Sequence, residues 1–269
     1  MPRSDRSKPH RTERRPERKP ERKVFHKPQA ERPGGLWLYG IHPVRAALLN
    51  PKRHVKRLVL TARAAEEIGK SLLGRVRHEI VDADAVSRLL HPGSVHQGVA
   101  LNCEPLPRRE LRDALPENGG ARRIVLLLDQ ITDPHNAGAI LRSAAAFGVS
   151  VVIVQDRNAP PESGVLAKAA SGALDSVPYV VVVNISRALD ELAELGFWRI
   201  ALAGDGEQSL KEAVPEGDVA LVLGSEGSGI RRLVREHCDT AAFIPIAPDM
   251  ESLNVSNAAA VALYELKRG

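Results

Sequence analysis

The stretch Val219-Ala220-Leu221-Val222-Leu223-Gly224-Ser225-Glu226-Gly227-Ser228-Gly229 decides the fold. Five apolar residues run without a polar break and stop at a glycine. A strand of that kind is covered on both faces, as the strands of a parallel sheet are. Glycines at its end let a backbone approach a ligand closely. Working outward, similar apolar runs occur at Ile124–Leu128, Val151–Val154, Tyr179–Val183, Arg199–Ala203 and Ala242–Ile246. Helical patterns alternate with them at Ala137–Phe147, Gly164–Ala170, Ile185–Leu195, Ile230–His237 and Asn254–Lys267. Such alternation predicts an α/β fold with a mostly parallel sheet, in which ligands bind at the carboxyl ends of the strands.

Three polar loops follow such ends. In the first quoted, Gly224, Gly227 and Gly229 mimic half of a dinucleotide fingerprint. They stand late in the chain rather than at the first strand-to-helix turn, so a tight turn explains them better. Glu226 is harder to explain as a turn residue, and a carboxylate there is placed to orient a ligand or a basic partner. A second run, Ser252-Leu253-Asn254-Val255-Ser256-Asn257, opens the last helix, whose apolar stripe is Val255, Ala258, Ala259, Ala262, Leu263 and Leu266. One polar residue would suffice as an N-cap; the surplus favours a polar ligand. The third loop is Asp133-Pro134-His135-Asn136-Ala137-Gly138-Ala139-Ile140-Leu141-Arg142. Ala137, Ile140, Leu141, Ala144 and Ala145 form its buried face. Arg142 falls off that face, either solvated or presenting a guanidinium to phosphate or a reacting oxygen. Asn136 is either the helix N-cap or a substrate contact.

Ahead of Ile124 the pattern differs. Residues 36–104 read as a small α/β unit with a helix over His42–Asn50, a strand over Val55–Leu60, a capped helix over Asp82–Leu90 and a strand over Gly98–Cys103. A linker, residues 105–122, carries Pro105, Pro107, Pro116 and Gly119-Gly120. The first 35 residues form a basic arm. Residues 1–33 hold 12 Lys/Arg against 5 Asp/Glu, while the remaining residues hold 26 against 28. All the excess positive charge therefore sits in a tail with too few apolar residues to order itself. It serves either as a solubilising leader or as an arm for a polyanion, nucleic acid being the usual one.

Cys103 and Cys238 are the only cysteines, far apart and outside any CxxC pattern, which argues against a disulfide framework or zinc site and fits a reducing cytosol. No apolar run approaches membrane-spanning length, and the start of the chain has no apolar signal core. His42, His91 and His96 lack ligand spacing, so no metal is expected. A cytoplasmic protein is expected.

Three segments together resemble the SpoU/TrmH family of the SPOUT superfamily, RNA ribose 2'-O-methyltransferases. They are Asn136-Ala137-Gly138-Ala139-Ile140-Leu141-Arg142, Leu223-Gly224-Ser225-Glu226-Gly227, and Ile244-Pro245-Ile246 followed by Ser252-Leu253-Asn254-Val255-Ser256. Their order and spacing agree over residues 123–269. The front unit, with Tyr39-Gly40-Ile41-His42-Pro43-Val44 and His96-Gln97-Gly98-Val99, resembles the RNA-binding domain of the ribosomal-RNA branch, which is similar to ribosomal protein L30e. The resemblance implies a deep trefoil knot, an exception to ordinary topology, and a homodimer. It implies S-adenosyl-L-methionine held by backbone groups around Gly224, Ile244 and Leu253, with Ala203 as a lesser contact. It gives Arg142 the role of proton acceptor, with Asn136, Glu226, Ser252 and Asn254 orienting the arginine or the substrate. The implied target is a guanosine in the peptidyl-transferase region of 23S rRNA. The basic arm is extra to the family pattern. Because an arginine normally stays charged, two roles for Arg142 stay open: transient proton loss in a desolvated site, or a grip on the adjacent phosphate while water takes the proton. Two alternatives to a ribosomal-RNA methyltransferase are a tRNA methyltransferase of the same family and a catalytically silent RNA-binding ribosome assembly factor.

Overall fold

Leu58, Leu60 and Leu101 alternate with Val59 and Ala100, and this period of two builds the front sheet. The computed structural model describes residues 35–268, so the basic arm lies outside the described residues up to position 34. The front sheet contains β1 (Leu36–Tyr39), β2 (Val55–Leu60), β3 (His78–Ile80) and β4 (Val99–Cys103), in the order β1-β4-β2-β3. β4 is antiparallel to β1 and β2, and β3 is parallel to β2. The intervening helices are α1 (Ile41–Leu49), α2 (Ala62–Ile68), α3 (Lys70–Leu73) and α4 (Ala83–Leu89). The last of these is capped by Asp82, whose side chain accepts the Ala85 N–H at 2.7 Å.

The second sheet is entirely parallel. Its elements follow α5 (Leu111–Ala114): β5 (Ile124–Asp129), α6 (Pro134–Phe147), β6 (Val151–Gln155), α7 (Gly164–Ala170), β7 (Tyr179–Val182), α8 (Ile185–Glu194), β8 (Trp198–Leu202), β9 (Gln208–Ser209), α9 (Leu210–Ala213), β10 (Val219–Gly224), α10 (Arg232–Glu236), β11 (Thr240–Phe243) and α11 (Val255–Arg268). The strand order is β7-β6-β5-β10-β8-β11-β9. Leu126, Leu128, Leu221 and Leu223 pack against α6, α7 and α11; Val125, Leu127, Ala220 and Val222 pack against α8 and Val234 of α10. This two-sided cover is why the strands read as unbroken apolar runs. Each such leucine contributes about 2 kcal/mol by leaving water.

Several expectations shift. α6 starts at Pro134 and is capped by Asp133, whose side chain accepts the His135 N–H at 3.0 Å. Asn136 therefore lies inside the first turn and is not the N-cap. Ala145, expected on the buried face, is exposed. Gly138 lets α6 and α7 cross closely, since a Cβ there would sit 2.4 Å from the Ala169 methyl and 2.8 Å from the Leu166 carbonyl oxygen. The last strand ends at Phe243, leaving Ile244–Ile246 in the following connection. The linker contains α5, held to α8 by Arg112, which donates to Glu191 and Glu194, both at 2.9 Å.

The two sheets share one continuous core and a buried ionic junction. Arg53, 5 % exposed, donates through Nε to Asp175 at 3.0 Å and through Nη1 to the Glu104 carbonyl at 3.0 Å. Its Nη2 lies 2.6 Å from Glu162 Oε1, a charge contact off-line for a directed hydrogen bond. The two front motifs meet at Gln97, whose Oε1 accepts from the Ile41 N–H and from Lys168 of α7. His96 is spent locally on the Gly98 N–H and the Ser87 hydroxyl.

Candidate functional site

The carboxyl ends of non-consecutive strands bring the site together. Gly224 pairs with Asp129, Leu223 with Leu202, and Ala242 with Leu202, so the ends of β5, β10, β8 and β11 form one edge. Ala203 donates its N–H to the Ala242 carbonyl at 2.9 Å, so it lies just beyond β8 and beside the strand that delivers Ile244. Beyond β10 the chain turns sharply: Ser225 and Gly229 exchange backbone hydrogen bonds of 3.2 and 2.9 Å, and the Ser225 and Ser228 hydroxyls meet at 2.6 Å. Gly224 is needed here because a Cβ would lie 2.2 Å from the Gly229 carbonyl carbon. Its first role is thus to let two backbones touch.

The turn lifts Glu226 to the surface, where the three polar loops converge on it. Glu226 Oε1 accepts from Asn254 Nδ2 at 2.6 Å, from Asn136 Nδ2 at 3.3 Å and from the Val255 N–H at 3.4 Å. Asn254 Nδ2 also donates to Asn136 Oδ1 at 3.2 Å, closing a triangle. Asn254 Oδ1 meanwhile accepts the Ser256 N–H at 2.9 Å and its hydroxyl at 2.6 Å. Asn254 therefore both caps α11 and holds Glu226. The Glu226 carboxylate faces the positive end of α11, an arrangement that contributes up to about 1 kcal/mol at a surface.

The other candidates are placed differently. Arg142 is exposed and makes no hydrogen bond or ion pair with any described residue. It lies six residues beyond Asn136 on α6, about 9 Å along the axis. A helical side chain leans toward the helix N-terminus, so its reach runs toward the Asn136 end. Ser252 is exposed, also without a partner among the described residues, while Ile244, Leu253 and Ala203 are half-buried. Gly224, Ala203, Ile244 and Leu253 are each partly exposed, at or just beyond the ends of β10, β8 and β11 and just ahead of α11.

Three residues at this edge escaped the sequence reading. Asp129, wholly buried at the end of β5, accepts the Arg231 N–H at 2.9 Å and its Nε at 2.8 Å. Arg231 Nη2 continues to Gln155 Oε1 at 2.8 Å, and Gln155 Nε2 to the Val183 carbonyl at 3.1 Å. The available signal was a charged residue closing the apolar run Ile124–Leu128. The cysteines offer no nucleophile: burial pushes the Cys103 and Cys238 thiols up to about 12. Among the described residues no group of His, Cys, Asp and Glu is placed to hold a metal ion, and no helix is long and apolar enough to cross a membrane.

Comparison with known proteins follows this division of the chain. The model of the SpoU rRNA methylase family matches residues 123–264, and that of RNA 2'-O ribose methyltransferase substrate binding matches residues 37–109. The 23S rRNA (guanosine-2'-O-)-methyltransferase RlmB of Xylella fastidiosa is 38% identical over 239 residues, covering 86% of this chain and 96% of that protein. RlmB of Coxiella burnetii is 38% identical over 237 residues, covering 86% and 94%. The SpoU methyltransferase AviRb from Streptomyces viridochromogenes, crystallised with its cofactor AdoMet, superposes with a TM-score of 0.75 at 26% identity, covering 87% of this chain and 90% of that one. With matched catalytic and substrate-binding models, and relatives alike over nearly their whole length, this chain belongs to the SpoU rRNA methylase family.

Proposed function

We propose that this protein transfers the methyl group of S-adenosylmethionine to the 2'-oxygen of a guanosine in the peptidyl-transferase region of 23S ribosomal RNA. The observation that carries it is the meeting of Asn136, Glu226 and Asn254, from three distant segments, at one sheet edge. The names of the relatives support the substrate. When bound, the cofactor supplies a methyl group on a sulfonium, which leaves readily as a neutral thioether. The chain's own task is to hold the ribose oxygen in line and let its proton depart. Gly224, Ile244, Leu253 and Ala203 would hold the cofactor. Glu226, Asn136, Asn254 and Ser252 would orient the ribose and Arg142. Among the described residues nothing buries Arg142, which favours its role as a grip on the neighbouring phosphate, with water taking the proton. RNA is selected because DNA has no 2'-hydroxyl.

The same reading extends to the rest of the molecule. The front sheet would bind RNA, and residues 244–254, which cross from β11 back to α11, would form part of the trefoil knot. A homodimer would cover Val261 and Tyr264, which α11 leaves 46% and 53% exposed. The cytosol is the compartment where such a substrate is assembled. Mapping ribose methylation across ribosomal and transfer RNA, in cells with and without this protein, tests the proposal. One missing mark at a 23S guanosine is expected. A missing tRNA mark would overturn the substrate, and an unchanged map with no S-adenosylmethionine binding by calorimetry would leave a silent RNA-binding factor.

A further inference from the structure

Glu226 is only as well placed as the turn that carries it, and that turn is clamped at both ends. At its entrance Gly224 lies against Gly229 and Ile230, whose backbone atoms would fall 2.2 to 2.4 Å from a Cβ. At its exit Arg231 is held by Asp129. The Asp129 carboxylate has no exposed surface, and both its oxygens are engaged by the same residue: Oδ2 by the Arg231 backbone N–H, Oδ1 by Nε at 2.8 Å and Nη2 at 2.6 Å. The guanidinium reaches Asp129 Oδ1 through Nε and Gln155 through Nη2 at once, a fixed fork that an ammonium lacks. Arg231 then spans to Gln155, and Gln155 to the Val183 carbonyl. One chain of hydrogen bonds thus runs along the carboxyl edge through β5, β6 and the end of β7. Its pull is transmitted to the turn through the Arg231 main chain, which Asp129 fixes directly.

We infer that Asp129 and Arg231 are positioning residues for methyl transfer: they hold the Gly224–Gly229 turn so that Glu226 can meet Asn136 and Asn254. Neither touches substrate in this role: the Arg231 side chain is 38% exposed, but its guanidinium is engaged by Asp129 and Gln155. The inference rests on the proposed methyltransferase function. Displacing a reacting arrangement by about 1 Å from a distance can cost roughly a hundred-fold in rate.

The test uses the full chain with Asp129→Asn, Arg231→Lys and, as a control, Asp239→Asn. The control weakens another Arg–Asp pair, Arg199–Asp239, at the opposite, amino edge of the sheet. S-adenosylmethionine affinity by calorimetry, kcat and KM for RNA, and hydrogen exchange over residues 224–231 are measured well below each variant's Tm. Asp129→Asn and Arg231→Lys are expected to lower kcat roughly ten- to hundred-fold, with KM for RNA within two-fold of wild type and faster exchange in the turn. The control is expected to change Tm only. Wild-type kcat and exchange in both edge variants would overturn the inference, as would an equal loss of kcat in the control. A ten-fold rise in KM for RNA with unchanged kcat would also overturn it, because Arg231 would then be a phosphate contact. Should the wild-type protein itself bind no S-adenosylmethionine and methylate no RNA, the functional proposal fails instead, and exchange in the turn still reports whether Asp129 holds it.

Discussion

Removing Glu226 and Asn254 singly and together measures how far the triangle acts as one unit. The Glu226–Asn254 bond is short, 2.6 Å, and charge-assisted. Both side chains face solvent, so its contribution falls at the low end for such bonds, about 1.5 kcal/mol. The contacts to Asn136 and to the Val255 N–H, at 3.3 and 3.4 Å, add about 0.5 kcal/mol between them. Glu226→Ala is then expected to lower kcat/KM by about 2 kcal/mol, some thirty-fold. Asn254→Ala should cost a similar amount in rate and, in addition, about 1 kcal/mol of stability for the lost α11 cap. The shared bond is removed only once in the double variant, so the cycle should return a coupling of about 1.5 kcal/mol. Initial rates of methyl incorporation from labelled S-adenosylmethionine into a 23S fragment, at saturating cofactor, supply all four values. A double variant that loses the full product of the two single effects, with coupling under about 0.5 kcal/mol, would refute the view that these residues act through each other.

Arg142→Lys and Arg142→Ala should both abolish most turnover, since neither restores a planar fork to phosphate; wild-type turnover in either removes Arg142 from the chemistry. Gly224→Ala should destabilise the protein by about 3 kcal/mol through backbone overlap with Gly229, read as a lower urea midpoint together with weakened S-adenosylmethionine binding. Arg53→Met strands Asp175 and Glu162 at the junction between the sheets, so unfolding free energy should fall by roughly 3 kcal/mol or more; a loss below about 1 kcal/mol would mean the junction is in effect a surface pair. Deleting residues 1–33, with their 12 Lys/Arg, should flatten the dependence of RNA affinity on salt if the arm contacts phosphate; an unchanged slope assigns it to solubility alone.

The parallel sheet was legible because its strands are covered twice. Ile124–Leu128 and Val219–Leu223 have no solvent face, so nothing polar interrupts them. The front unit was only half legible. β3 is three residues long with each residue exposed, too short to display a period, and in the parallel sheet the two residues of β9 are equally silent. The strand ending at Phe243 was placed too late because Ile244-Pro245-Ile246 prolongs the apolar signal past the last ladder pairing. At the site, Glu226 stood out against its glycine neighbours, and Asn254 against the needs of a simple cap. Asp129 did not stand out, because its partner Arg231 lies 102 residues away and no local pattern connects them. Asn136 offered two readings to sequence alone, and the cap at Asp133 removes one of them.

Asn254, which completes the triangle, follows Asn136 by 118 residues and Glu226 by 28. A growing polypeptide therefore makes its first and second loops long before it makes the third. The third loop is the one that finishes the triangle, so a chain grown only as far as Glu226 has no complete centre. For a protein whose proposed substrate is ribosomal RNA, competence thus comes only once all three loops have been made.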